Sequence, residues 1–114
     1  MTNGLDQNKV DFERQRNQLM QLSAQKQQLE FQNKLLKETL EEVSKTKEEK
    51  VYKAVGNILV LTPVEQVKKD LEKQVEAVAL RIKTVQKQEE ISVDKMNKLK
   101  SKLEGKENEK EEEK

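Results

Sequence analysis

The stretch Val51 to Thr62, VYKAVGNILVLT, constrains the fold more than any other part of the chain. It is rich in β-branched and apolar residues, and Gly56-Asn57 interrupts it with glycine first, as a two-residue type II′ turn requires. That turn fixes the pairing: Val55 faces Ile58, Ala54 faces Leu59, Lys53 faces Val60 and Tyr52 faces Leu61. The result is a β-hairpin with about five residues per strand. The second strand, Ile58 to Leu61, is apolar on both faces, so packing against the chain's own flanks covers only one of them. A hairpin alone is marginal in water, and both of its edges stay open. The chain offers no second strand pair. Either other chains supply the missing strands or the hairpin is unstable.

What flanks the hairpin is set by composition and period. Of 114 residues, 32% are hydrophobic and 39% charged, too polar for a compact globular core. The classes left are disorder and coiled coil, and periodicity decides between them. From Leu5 the apolar residues follow two heptad rows: Leu5, Phe12, Leu19 and Leu40 on one, Leu22, Leu29, Leu36 and Val43 on the other. Rows offset by three and then four form a coiled-coil seam. Asn8, Gln15, Lys26 and Asn33 interrupt it, and such polar seam residues weaken packing while fixing register and partner.

Helix one is therefore expected over residues 5–46, after a frayed start at 1–4. The charged link Ser44 to Lys50 leads into the hairpin element at 51–62. Beyond it, Thr62-Pro63-Val64-Glu65 reads as a capping box: threonine at the N-cap, proline at the first helical position, glutamate at the third. Helix two, over 63–103, repeats the seam with Val64, Leu71, Val78, Val85 and Leu99 on one row and Val75, Ile82, Met96 and Leu103 on the other, broken by Glu89 and Ser92. Folded back antiparallel, each helix spans about 60 Å. One register then serves the whole length: Leu36 near Leu71 and Val75, Leu29 near Val78 and Ile82, Leu22 near Val85, Phe12 near Met96 and Leu99, Leu5 near Leu103. Residues 104–114, EGKENEKEEEK, carry six Glu, three Lys and nothing apolar, and are expected to be a disordered, charged tail.

The run Val51-Tyr52-Lys53-Ala54-Val55-Gly56-Asn57-Ile58-Leu59-Val60 resembles the V-Y-K-x-V-G-x-x-L-V hairpin of β-type prefoldin subunits, the class of archaeal prefoldin β and eukaryotic prefoldin subunit six. The similarity continues through Leu71, Val75, Leu80-Arg81-Ile82 and Lys87-Gln88-Glu89-Glu90. Helix one matches in style, as a Gln- and Leu-rich arm ending near Leu40-Glu41-Glu42. The resemblance is specific from about Val51 to Glu90. The Ser44 to Lys50 link departs from the family pattern in lacking its aspartate and proline, and the Glu/Lys-rich tail departs as well.

The resemblance implies a mainly α fold, a long antiparallel two-helix coiled coil joined by one β-hairpin that completes an intersubunit β-barrel. It also implies a hexamer of two α-type and four β-type subunits with six coiled-coil arms. Such an assembly captures unfolded proteins at the arm tips without ATP and passes them to a group II chaperonin. The partners implied are α-type subunits, other β-type subunits, unfolded clients and that chaperonin. A single hairpin marks the β class.

Candidate assembly residues are Val51, Tyr52, Val55, Gly56, Ile58, Leu59, Val60 and Leu61. Candidate client-binding residues at the tips are Leu5, Val10, Phe12, Leu19 and Met20 on helix one, and Ile91, Val93, Met96, Leu99 and Leu103 on helix two. Val10, Met20, Ile91 and Val93 lie off the seam rows and have least structural reason to be apolar. Flexible Met and small aliphatic groups suit adaptable contact. The plainer alternatives are that the seam members are ordinary coiled-coil core, the off-seam ones scattered surface residues, and the hairpin a connector packed on its own helices.

Enzymatic chemistry finds no footing. Without His or Cys there is no common general base, zinc ligand or thiol, and three glycines allow no phosphate-cradling loop, so neither catalysis nor a cofactor is expected. The 23 basic and 22 acidic residues are interspersed, unlike the clustered cations of a nucleic-acid binder. No window approaches the roughly 18 apolar residues of a membrane span. A cytoplasmic setting without membrane or nucleic acid is therefore expected. Two classes remain: a chaperone subunit, or a structural coiled-coil adaptor that oligomerises through its hairpin and binds one folded partner.

Overall fold

The computed structural model describes the backbone of residues 4–112 and the side chains of residues 4 and 6–105. The order is helix α1 (Gly4–Lys45), strand β1 (Lys50–Val55), strand β2 (Ile58–Pro63) and helix α2 (Val64–Glu112). The chain divides into a hairpin unit, Gln27–Lys83, and a terminal unit, Met1–Lys26 with Thr84–Lys114.

In the hairpin unit the strands pair antiparallel in the register the turn dictates, from Val55↔Ile58 through Tyr52↔Leu61 to Lys50↔Pro63. Gly56 has φ 61°, and no other described residue has positive φ. Positive φ at the first turn position with an ordinary second position is the type II′ arrangement; type I′ would need positive φ at Asn57 too. α1 stops at Lys45, whose ammonium sits in the last turn, where the helix dipole favours a cation, 3.2 Å from Glu41. Four link residues, 46–49, then reach β1.

The capping box at the start of α2 does not form as the sequence suggests. The Val64 N–H donates to the Glu49 carbonyl at 2.9 Å, which continues the strand ladder by one row beyond Lys50↔Pro63. Ladder and cap compete for the same stretch of backbone, and the ladder wins. Pro63 is the last residue of β2 rather than the first of α2, and the buried Thr62 donates its hydroxyl to the Val60 carbonyl at 3.0 Å.

Burial follows the heptad rows. Val64 and Val78 are buried in the hairpin unit and Val85 in the terminal unit, with seam neighbours such as Leu29, Leu36, Leu71, Val75 and Ile82 half-buried. Among the described residues no side chain is wholly enclosed, as expected where each helix has only one apolar stripe. Two of the polar interruptions are buried as well, Asn33 in the hairpin unit and Ser92 in the terminal unit, and the other four are half-buried. The Asn33 Oδ1 has no hydrogen-bond partner among the described residues, an omission that typically costs about 1–3 kcal/mol.

Residues 104–112, expected to lack structure, continue α2 to Glu112. Glu and Lys are strong helix formers, and i,i+4 pairs such as Lys100 with Glu104, 4.0 Å apart, support the helix without any apolar stripe. Residues 113–114 lie outside the described residues, as do residues 1–3 of the expected frayed start.

Candidate interaction surfaces

The hairpin presents two faces. Val51, Lys53 and Val55, with their partners Thr62, Val60 and Ile58, share one; Tyr52 and Ala54, with Leu61 and Leu59, share the other. The first face is tied to α2 at its base. Thr62 is buried, Val51 half-buried, and the Lys53 ammonium lies 3.4 Å from Asp70 Oδ2. Toward the turn this face opens, leaving Val60, Val55 and Ile58 exposed. The second face is bare: Tyr52 is 71% exposed, Leu59 67% and Leu61 52%. Among the described residues the sheet has two strands, so each also presents an unpaired edge. The expected assembly residues are therefore brought together on one small ribbon, exposed on both faces except at its base, where one face meets α2.

In the terminal unit the expected contact residues sort into two groups. Val10, Met20, Ile91 and Val93 are exposed, Met20 most at 61%. Phe12, Leu19, Met96, Leu99 and Leu103 are half-buried along the seam. The Leu5 side chain lies outside the described residues.

The seam interruptions of this unit meet one another. Lys26 Nζ lies 2.9 Å from Glu89 Oε1, and the Ser92 hydroxyl lies 3.3 Å from the Gln15 carbonyl and 3.2 Å from its Oε1. Gln15 opposite Ser92 fits the register in which Leu22 lies near Val85 and Phe12 near Met96. A polar group on one helix thus lies against a polar group on the other, which limits the cost of burial.

Sequence reasoning missed Phe31, Leu35 and Leu80, all exposed in the hairpin unit. Phe31 and Leu35, spaced i,i+4, share one face of α1. Like Val10 and Met20 they lie off the seam rows, but far from the helix ends.

Among the described residues no group of His, Cys, Asp and Glu could hold a metal ion, and no helix is long and apolar enough to cross a membrane. Residues 7–110 match the family model of prefoldin subunits. The chain belongs to the prefoldin subunit family. Prefoldin subunit beta of Archaeoglobus fulgidus is 45% identical over 74 residues, which span 64% of this chain and 64% of that relative. Prefoldin subunit beta of Sulfurisphaera tokodaii is 36% identical over 93 residues, covering 75% and 74% of the two chains. In fold, the crystal structure of the prefoldin beta subunit from Thermococcus strain KS-1 superimposes with a TM-score of 0.86, covering 91% of this chain and 92% of that one at 22% identity. Two helices joined by one antiparallel hairpin are the fold of that prefoldin beta subunit as well.

Proposed function

We propose that this chain is a β-type subunit of a hexameric, ATP-independent holdase chaperone of the cytoplasm. Its hairpin joins those of two α-type and three other β-type subunits in an intersubunit β-barrel. The helix ends of the terminal unit capture unfolded clients and pass them to a group II chaperonin. One observation carries this reading: a ribbon of sheet, apolar on both faces and exposed on both, with two unpaired edges. Exposed apolar strand edges invite pairing with another chain, and neighbouring hairpins supply strands of the same length. Relatives named as beta subunits support the subunit class. The exposed Val10, Met20, Ile91 and Val93 support capture by side-chain contact of low specificity.

The test is to mix the chain with an α-type partner, measure particle mass by sedimentation, and follow aggregation of a chemically unfolded protein without nucleotide. A hexamer that suppresses aggregation is expected. Monomers or dimers alone would defeat the assembly, and a hexamer that gives no protection would defeat the capture. Saturable binding of one folded protein, with no affinity for unfolded chains, would instead make the chain an adaptor.

A further inference from the structure

The terminal unit carries an open groove of about 300 Å³ whose lining includes Arg14, Lys95, Lys98 and Lys102 around Leu99, with Asp11 as the one carboxylate. Four cations against one anion is a local excess of three, in a chain whose 23 basic and 22 acidic residues leave a net charge of only +1. None of the four cations forms an ion pair among the described residues, whereas Asp11 already accepts a hydrogen bond from the Gln7 amide at 3.0 Å. The cations are therefore not spent on the fold.

The other flank of the seam has the opposite character. Lys95 and Lys102 each precede a seam residue, Met96 and Leu103, while Val93 follows one, Ser92, so the two sides of α2 diverge there. A second groove on the Val93 side is lined by Glu90 and Asp94, and its one lysine, Lys26, is held by Glu89.

Exposed aliphatic residues adjoin the basic groove. Ile91, Lys95, Lys98 and Lys102 fall at i, i+4, i+7 and i+11 on one face of α2, and Val10 and Arg14 at i, i+4 on α1. The half-buried Leu99 is the one apolar side chain in the lining, so apolar ground lies within the groove at Leu99 and beside it at Ile91 and Val10.

We infer that this flank selects among unfolded segments, preferring extended stretches in which carboxylates are interspersed with apolar side chains. The inference rests on the reading that the terminal unit captures unfolded polypeptide, and adds to it a charge preference and the residues that set it. Nucleic acid fits less well, because the lining offers no aromatic ring for a base to stack on and includes a carboxylate. The chain's own residues 104–114, from a second copy, fit less well too: they carry six Glu but no apolar side chain for Leu99, Ile91 or Val10 to meet.

Three labelled peptides of equal length and apolar content, one rich in Asp and Glu, one rich in Lys and one uncharged, are titrated into the full chain assembled with its α-type partner, with binding read by fluorescence anisotropy. At low ionic strength the acidic peptide should bind about tenfold tighter than the basic one, the size expected of four modest exposed ion pairs. The preference should fall within about twofold in 1 M salt, where screening cuts interactions beyond about 3 Å. The variant R14Q/K95Q/K98Q/K102Q should lose the preference yet still bind the uncharged peptide, with helical circular dichroism unchanged. E90Q/D94N, on the other flank, should keep it. If the uncharged peptide binds but the acidic one is not favoured, or the preference survives in the quadruple variant, the inference falls alone. If the uncharged peptide does not bind, the capture reading falls with it. Displacement of the acidic peptide by an equal concentration of a folded acidic domain or a single-stranded oligonucleotide also overturns the inference.

Discussion

The hairpin and the terminal unit both leave apolar side chains in water, but they do so in different ways. On the hairpin the exposed residues stand on a two-stranded ladder with open edges, so a partner that covers the faces and also pairs the edges must bring backbone donors and acceptors in strand geometry. In the terminal unit the exposed Val10, Met20, Ile91 and Val93 stand on helices whose backbone hydrogen bonds are already made. Covering them requires only apolar side chains in any arrangement. Exposure on a strand edge specifies a partner; exposure on a finished helix tolerates many.

The severest way to break that contrast is to charge the bare hairpin face. Leu59→Lys with Leu61→Lys would bury two ammonium groups without partners in any completed sheet, at a cost of several kcal/mol each. Sedimentation should show complete loss of the hexamer, with far-UV circular dichroism mostly retained. A hexamer that persists would remove the hairpin from assembly.

Val85→Ala acts on the other region. Val85 is 4% exposed in the terminal unit, and trimming it should lower thermal stability by about 2 kcal/mol while leaving the hexamer's mass unchanged. If the hexamer dissociates instead, the two regions are not separable in the way proposed.

A finer test concerns Lys26 and Glu89, whose side chains are 28% and 14% exposed. Lys26→Leu alone leaves a half-buried carboxylate facing an apolar group and should cost roughly 1–3 kcal/mol. Adding Glu89→Leu should return stability to wild type or above, as seen when buried pairs are replaced by apolar ones. A double-mutant cycle in chemical denaturation measures the coupling, and a coupling near zero would mean the pair contributes nothing to holding the register.

The gentlest change is Val10→Ser, Met20→Ser, Ile91→Ser and Val93→Ser together. Each is exposed, so stability should move by under about 0.5 kcal/mol per site, while protection of an unfolded client should drop several-fold. Unchanged protection would leave Phe12, Leu19, Met96, Leu99 and Leu103 as the contact residues, or none of them.

How much of this was legible beforehand depended on whether a signal was local or relational. The hairpin register followed from Gly56-Asn57, because a two-residue turn admits one pairing, and the seam followed from heptad spacing, because burial tracks period. Glu89 and Ser92 were visible as breaks in one helix, and Lys26 and Gln15 as breaks in the other. That they answer each other required setting two distant stretches side by side. Thr62 was misread because a cap and a ladder use the same backbone, and only the position of Glu49 decides between them. The end of α2 was not legible because a stretch without apolar residues reads as unstructured, although the helix propensity of Glu and Lys suits a helix that continues to Glu112.

The tight turn at Gly56 keeps the two strands level, and the start of α2 keeps them short. With only Gly56 and Asn57 in the bend, the two six-residue strands end level, Lys50 beside Pro63. A neighbouring strand therefore meets six paired rows, or seven with the Glu49–Val64 row, on either margin, a short joint between two chains. Stability would accrue as further margins are filled, so closing a ring of such ribbons should be cooperative, with open partial rings scarce beside free chains and closed rings.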